Sequence, residues 1–265
     1  HANRLPTFLI QTSGRGETAS DVKFIELDND SKEHSLADIA IGRIPAQTEE
    51  QVANIVDKII TYENTTLADG NGLVLAVADG QEASFAEEAR SFLAIFEDKY
   101  HTKLLAPEAG AKDAAQQIVD SIKQSGFFVA YFGHGSLNMW GKDMLFTADN
   151  VKDLSNLQRY PIVLNFTCLT GFFIHPVQES LAETLLWRAD GGAVAVLAPT
   201  SLTLASDQSF LIQPLAIAIA QNSQASIGSL LQKVRRDMST HSEGVKEVME
   251  TFLLFGDPAT RLMQP

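Results

Sequence analysis

Short apolar runs alternate along the chain with segments whose apolar residues recur every three or four positions. Each run is closed by glycine or by polar residues, which predicts buried strands of a mostly parallel sheet. The segments between the runs have the spacing of amphipathic helices. This alternation predicts an α/β protein in which helices cover a central sheet. The predicted strands are residues 72–77, 103–106, 127–132, 162–166 and 192–197.

The first part of the chain has a pattern of its own. Two short apolar runs, Phe8–Ile10 and Ile39–Ile44, are followed by a helix signal in which Thr48 and Gln51 have the spacing of a capping box. A turn-rich break then covers residues 64–72. We therefore expect two units: residues 1–66 as the rear part of a smaller α/β subdomain, and residues 67–265 as a larger one. Helices are also predicted at 84–96, 111–125, 180–189, about 207–239 and 245–254.

Composition narrows the classes of function. The chain has 265 residues, 45% of them apolar, which is enough for a substantial core. Its 20 basic and 33 acidic residues give a net charge of -13, which argues against nucleic acid as a partner. No run approaches the roughly 18 apolar residues that indicate a membrane span. The single cysteine excludes an internal disulfide.

That cysteine and one histidine stand at the ends of two predicted strands. His134, between Gly133 and Gly135, follows the run 127–132, and Cys168 follows the run 162–166. Catalytic residues of such sheets lie beyond the carboxyl ends of the strands. A thiol and an imidazole at one edge form a nucleophile and its base, which predicts acyl transfer, most simply peptide hydrolysis. The alternative reading of Cys168 is a buried structural thiol.

A second candidate site is acidic. Glu26, Asp28, Asp30 and Asp38 place oxygen ligands at alternating positions, which suits a structural calcium ion. The alternative is a solvated acidic loop. No cofactor is required by the predicted chemistry.

Six segments, in this order, resemble the catalytic domain of the gingipain-type cysteine peptidases. The resemblance implies a caspase-like three-layer α/β/α sandwich, endopeptidase activity from a His–Cys dyad, and a secreted or cell-surface bacterial location. It also implies a strand–helix region before residue 1, so that an upstream segment or another chain would complete the first subdomain. The segments are Ala37–Pro45, Tyr131–Ser136, Asn165–Gly171, Glu179–Glu183, Gly192–Val196 and Phe255–Pro258.

The resemblance also assigns roles to residues. It implies that His134 and Cys168 are the dyad, that the amides of Gly135 and Cys168 face the oxyanion, and that Asp79 orients the histidine. Phe85 stands where arginine-specific relatives carry an acid, and the loop Thr200–Ala205 is uncharged. An uncharged or apolar side chain before the cut is therefore expected. The residues expected to bind substrate are Gly133, Phe85, Thr200, Ser201 and Ala205.

Three functional hypotheses stay open from the sequence. The first is an active cysteine endopeptidase acting on a polypeptide substrate. The second is a catalytically weak or inactive caspase-like domain that serves as a scaffold in a larger cell-surface assembly. The third is a zymogen that is inactive until it is cleaved.

Overall fold

A six-stranded sheet forms the centre of the protein. In the computed structural model the described residues are 5–27, 38–65, 72–222, 224–238 and 241–262. The strands are β1 (Phe8–Thr12), β2 (Gly16–Ser20), β3 (Leu73–Ala78), β4 (His101–Leu105), β5 (Phe128–Phe132), β6 (Gly135–Ser136), β7 (Met139–Trp140), β8 (Phe146–Thr147), β9 (Ile162–Phe166), β10 (Ala195–Pro199) and β11 (Phe252–Phe255). The helices are α1 (Glu49–Asn64), α2 (Ala83–Ala94), α3 (Ala114–Gln124), α4 (Ala148–Val151), α5 (Leu181–Trp187), α6 (Ala205–Gln221), α7 (Ile227–Met238) and α8 (Glu243–Thr251).

The central sheet has the strand order β11-β10-β9-β5-β3-β4. Its first five strands in chain order are parallel, and β11 pairs antiparallel with β10. Helices α2, α6, α7 and α8 pack together as one group, and α1, α3, α4 and α5 as another. The sheet therefore lies between two helical layers, as the buried, apolar strands β3, β5, β9, β10 and β11 require. The predicted α/β/α arrangement is confirmed.

The observed ends of the helices agree with some of the helix signals predicted from the sequence and differ from others. The predicted capping box is formed at α1, where the Gln51 amide donates to Thr48 Oγ1 at 3.2 Å. The helix predicted from residue 84 has Ser84 and Glu87 at the spacing of a capping box, but α2 begins at Ala83, after Glu82, and has no side-chain cap, so a cap at Ser84 is wrong. The helix predicted to reach residue 254 ends at Thr251. Four buried apolar residues follow as β11, since pairing with β10 satisfies their backbone groups.

The first 65 residues pack on the rest of the protein. The hairpin β1–β2 meets the segment after β10, where Thr18 Oγ1 donates to the Thr200 carbonyl and Thr12 Oγ1 lies 3.0 Å from Ser201 Oγ. The Arg43 amide donates to the Leu254 carbonyl at 2.9 Å, which extends the sheet beyond β11 by one bridge. The predicted boundary at residue 66 lies outside the described residues, and the division into two subdomains stays a prediction.

Lys58 joins α1 to the helix α5 from inside the core. Its Nζ donates to the carbonyls of Leu185 at 3.2 Å and Gly191 at 3.3 Å, and burial lowers its pKa from 10.5 to about 7. The unfolded chain therefore binds more protons than the folded one between these two pH values. Between about pH 7 and pH 10.5, Lys58 therefore makes the free energy of unfolding rise with pH.

We expect the Lys58→Met variant to lack this rise. Urea unfolding at about pH 6.5 and about pH 9.5 measures it, and the wild type should gain stability relative to the variant at the higher pH. Parallel pH dependence in the two proteins would contradict a depressed Lys58 pKa.

Candidate active site

His134 and Cys168 leave the sheet at the same edge. Strands β5 and β9 are parallel neighbours, and Phe132 pairs with Phe166 at their carboxyl ends. His134 lies two residues after Phe132, and Cys168 lies two residues after Phe166. The two residues therefore occupy equivalent positions beyond the ends of adjacent strands. The Gly133 amide continues the ladder by donating to the Phe166 carbonyl at 3.3 Å. The placement expected from the sequence is thus what the register of the two strands produces.

The two segments approach each other closely at Gly135. A side-chain carbon added there would lie 3.1 Å from the Cys168 carbonyl oxygen and still closer to Thr167 Oγ1. Only glycine allows this approach without displacing the cysteine segment. Gly133 is similarly enclosed, by Asp79 and Tyr131, so it supports the His134 segment rather than lining an open cleft.

The His134 ring is held by two residues at the start of α2. Its Nε2 lies 2.9 Å from Glu82 Oε1, and the ring meets Phe85 edge-on at 5.3 Å between centroids. The backbone is held too, because the His134 carbonyl accepts from the Tyr131 hydroxyl at 2.6 Å and the Gly141 amide at 2.7 Å. The imidazole side chain remains 37% exposed, which leaves it accessible to a substrate.

Asp79, which the resemblance assigns to orienting the histidine, contacts its backbone instead. The buried carboxylate accepts from the His134 amide at 3.3 Å and from the Gln81 amide at 3.0 Å. The acid at the ring is Glu82, which the sequence reasoning missed. A signal was present, because Glu82 follows β3, the strand beside β5, and therefore lies at the same edge of the sheet.

The Cys168 thiol is half-buried and bonded to the backbone. Its Sγ donates to the Thr203 carbonyl at 3.6 Å, and burial raises the pKa of the thiol. In the described part of the chain, no hydrogen bond joins this thiol to the His134 ring. The structure therefore places the Cys168 thiol against a backbone carbonyl and not against its expected acceptor, the His134 ring.

The backbone turns sharply after the cysteine. Leu169 has a φ of 60°, a left-handed conformation that costs a non-glycine residue roughly 1–2 kcal/mol. Its amide donates to the Ser201 carbonyl at 3.1 Å, which helps to hold the turn. The Cys168 amide has no acceptor among the described residues and is available to an oxyanion.

The residues expected to bind substrate differ in how far the protein buries them. Thr200 and Ser201 are buried and bonded to the β1–β2 hairpin, so their side chains do not line a cleft. Phe85 is buried against the His134 ring. Ala205 is exposed as the first residue of α6. The accessible part of the predicted pocket wall is therefore Leu202–Ala205.

A pocket of about 230 Å³ lies beside this wall. It contains two carboxylates that come from neighbouring elements, Asp207 of α6 and Glu247 of α8. Glu247 accepts from the Ser13 amide at 2.8 Å and the Ser13 hydroxyl at 2.9 Å. The Asp207 amide donates to the Leu204 carbonyl, whereas its carboxylate has no hydrogen-bond partner in the described ranges. The loop is uncharged as the sequence shows, but the pocket it borders is acidic. We name this the acidic pocket.

The acidic stretch considered for calcium is only partly described. Glu26 pairs with Lys23 at 2.9 Å, and Asp38 Oδ2 accepts from the Leu27 amide at 2.7 Å. Asp28 and Asp30 lie outside the described residues. Within the ranges that are described, no three His, Cys, Asp or Glu residues are grouped as metal ligands. Calcium binding stays a prediction.

Apolar side chains are exposed along the described parts of residues 5–60. The helix α1 exposes a stripe of Val52, Val56 and Ile60, opposite its buried face. Across the described residues, no helix combines the length and hydrophobicity that crossing a bilayer requires. We name the exposed apolar side chains of residues 5–60 together the N-terminal apolar face. They are Leu5, Phe8, Leu9, Phe24, Leu27, Ile39, Ile44, Val52, Val56 and Ile60.

The protein is similar to bacterial cysteine peptidases in sequence and in fold. It is 26% identical over 241 residues to Gingipain R2 of Porphyromonas gingivalis, in a match that covers 84% of this chain and 32% of the relative. The crystal structure of the Arg-specific cysteine proteinase gingipain R matches with a TM-score of 0.78 and 20% identity, over 96% of this chain and 61% of that one.

A third match is the complex of the Porphyromonas gingivalis RgpB pro- and mature domains, with a TM-score of 0.77 and 20% identity over 92% of this chain and 60% of the other. The chain thus spans about a third of the length of the curated relative. The structural matches confirm the caspase-like fold. The model of "Peptidase family C25" matches residues 2–263, so the chain belongs to that family of cysteine peptidases.

Proposed function

We propose that the protein is a cysteine endopeptidase in which Cys168 is the nucleophile and His134 is its general base and acid. The observation that supports this most strongly is the register of β5 and β9, which brings the two residues to equivalent positions at one sheet edge. The close approach of Gly135 to the cysteine segment supports it further.

The chemistry follows from these groups. The Sγ proton passes to the His134 ring, and the thiolate attacks the carbonyl carbon of the scissile peptide bond. The negative charge that develops on the carbonyl oxygen is met by the Cys168 amide. The ring then protonates the leaving amine, the C–N bond breaks, and a water molecule hydrolyses the thioester with the ring again as base.

The resting geometry favours a latent state. The thiol donates to Thr203 and its pKa is raised, so the Cys168 side chain must turn from this carbonyl toward the ring before it can be activated. A zymogen and a weakly active scaffold are both compatible with such a thiol. These alternatives differ from the proposed enzyme in whether the thiol reacts in the folded chain.

Labelling of the folded protein with iodoacetamide or an acyloxymethyl ketone probe tests the proposal. We expect one label per chain, at Cys168, and loss of labelling by the ketone probe in the His134→Ala variant. A folded protein whose Cys168 resists both reagents would support the scaffold alternative.

We further propose that the acidic pocket accepts a cationic side chain of the substrate. Thr203 lines this pocket and also accepts from the Cys168 thiol, so the pocket adjoins the nucleophile. Leu202 and Leu204 provide apolar surface for an alkyl stem, and Asp207 provides a carboxylate without a partner in the described ranges. This replaces the uncharged preference that the loop sequence alone suggests.

Peptides that differ only in the residue before the cut measure this preference. We expect Asp207→Asn to lower kcat/KM for lysine or arginine peptides by about 10- to 100-fold, while a norleucine peptide is unaffected. Asp57→Asn, an exposed position on α1, is the matched control. An equal loss for both peptides would refute charge recognition by Asp207.

The N-terminal apolar face supports a polypeptide partner, either another segment of the same protein or a separate chain, that covers α1 and the hairpin. Dye binding measures the exposed surface: we expect bound 8-anilinonaphthalene-1-sulfonate to decrease in Val52→Glu/Ile60→Glu. A fluorescence signal unchanged by these substitutions would contradict an accessible apolar face.

The gingipain resemblance also favours a secreted or cell-surface location, which fractionation of the source cells would test.

A further inference from the structure

We propose that Gln208 is a positioning residue that holds the peptide bond between Thr167 and Cys168 and so directs the Cys168 amide toward the oxyanion. This inference rests on the proposed function, because it concerns the peptide unit that carries the nucleophile. Gln208 belongs to the first turn of α6, and its side chain is buried.

The side-chain amide of Gln208 makes two hydrogen bonds. Its Nε2 donates to the Thr167 carbonyl at 3.1 Å and to Thr203 Oγ1 at 3.0 Å. The amide nitrogen has two hydrogens, so it can serve both acceptors at once. A backbone carbonyl can only accept, and the nitrogen of the side chain must therefore be the atom that faces Thr167.

The peptide unit between Thr167 and Cys168 lies beyond the ladder of the central sheet. Strand β9 ends at Phe166, which pairs with Phe132 of β5. Within the described ranges, no backbone amide donates to the Thr167 carbonyl. Gln208 therefore supplies a bond that a neighbouring strand would supply inside the sheet.

The geometry of a peptide unit transmits this bond to the Cys168 amide. In a planar trans peptide the carbonyl and the N–H point in opposite directions within one plane. Fixing the Thr167 oxygen therefore fixes the direction of the Cys168 N–H, which is the group available to an oxyanion. A hydrogen bond to the carbonyl also polarises the peptide unit and makes its N–H a stronger donor.

The second bond of Gln208 joins the same peptide unit to the wall of the acidic pocket. Thr203 lines that pocket, and its carbonyl accepts from the Cys168 thiol. Gln208 also directly follows Asp207, which lies in the pocket. One side chain of α6 therefore sets the position of the oxyanion donor relative to the surface that binds the substrate side chain.

A single NMR signal reports the first of these bonds. Because Cys168 is the only cysteine, protein labelled with ¹³C at the threonine carbonyls and ¹⁵N at cysteine gives one HNCO cross-peak, from the Thr167–Cys168 peptide. Gln208→Met keeps the approximate size of the side chain but lacks the donor, and we expect it to move the carbonyl resonance to lower frequency. Gln221→Met, at the exposed far end of α6, is the matched control and should leave the peak in place.

Gln208→Glu is a second variant of nearly the same shape. An ionised carboxylate cannot donate to the Thr167 carbonyl, whereas a protonated carboxyl can. Burial raises the pKa of a carboxyl. We therefore expect the displaced peak of this variant to return toward the wild-type position as the pH falls from about 8 to about 5, measured against the wild type over the same range.

Steady-state kinetics test the consequence for catalysis. Gln208→Met should lower kcat for peptide hydrolysis by about 10- to 100-fold with a smaller change in KM, because a misdirected oxyanion donor weakens binding of the transition state more than that of the substrate. Gln221→Met should retain the wild-type kcat.

Either of two results would overturn the proposal. One is a Thr167–Cys168 peak that stays at its wild-type position in Gln208→Met; if that variant does not fold, the peak of Gln208→Glu at about pH 8 decides the question. The other is a raised KM with an unchanged kcat, which would limit Gln208 to supporting the pocket wall. The spectra require no peptidase activity, so they judge the Gln208 bond even if labelling of Cys168 shows that the proposed function is wrong.

Discussion

Replacing Cys168 by serine is expected to lower kcat/KM for peptide hydrolysis by at least about 1,000-fold, which corresponds to about 4 kcal/mol of transition-state stabilisation. A serine hydroxyl is far less acidic than a thiol, so it gives up its proton to the His134 ring much less readily. His134→Ala should have an effect of similar size, because the thiol, whose pKa is raised by burial, then has no imidazole to accept its proton. Initial rates on a fluorogenic peptide measure both.

The double variant makes this prediction sharper. Two residues that act as one unit are not additive, so Cys168→Ser/His134→Ala should be no slower than Cys168→Ser alone. His101→Ala, on the exposed first residue of β4, is the matched control and should retain full activity. Additive losses in the double variant would show that the two side chains act independently, which is incompatible with a dyad.

Breaking the buried ion pair of Arg43 and Asp21 is expected to have the largest effect on stability. Arg43 Nε lies 2.6 Å from Asp21 Oδ2, a second guanidinium nitrogen lies 2.8 Å from Oδ1, and both residues are buried. Arg43→Met leaves a buried carboxylate without its counter-charge. We expect the free energy of unfolding to fall by about 3–5 kcal/mol, a large part of the stability of a typical domain. Urea unfolding followed by tryptophan fluorescence measures this.

Two controls separate the charge effect from a packing effect. The double variant Asp21→Leu/Arg43→Met removes both charges and should regain most of the lost stability. Lys152→Met breaks the fully exposed pair with Asp149 and should leave stability unchanged. If the double variant is as unstable as Arg43→Met, the loss comes from packing of the arginine, which also lies over the Phe173 ring at 4.6 Å.

The Phe173 ring connects the Arg43–Asp21 ion pair to the candidate active site. Phe173 follows Cys168 by five residues, and Arg43 also bonds to the end of β11 through its backbone. The guanidinium thus packs on the segment that carries Cys168. Loss of Arg43 should loosen this segment as well as destabilise the fold.

Local sequence signals were sufficient where the structure depends on neighbouring residues. The capping box of Thr48 and Gln51 forms as predicted, because its atoms belong to one helical turn. The strands that precede His134 and Cys168 were likewise predicted correctly, since buried parallel strands are continuous apolar runs. The same reasoning failed at Phe252–Phe255, which an apolar run cannot distinguish from the end of a helix.

The sequence by itself determined the fold class and the edge of the sheet at which His134 and Cys168 both lie. Both depend on periodicity and on the rule that parallel strands end at one edge. Only the tertiary structure decided which acid touches the ring, that Asp79 holds backbone, and that Asp207 and Glu247 make the pocket acidic. These contacts join loops and helix ends far apart in the chain. Their distances depend on how whole elements pack, which no local pattern encodes.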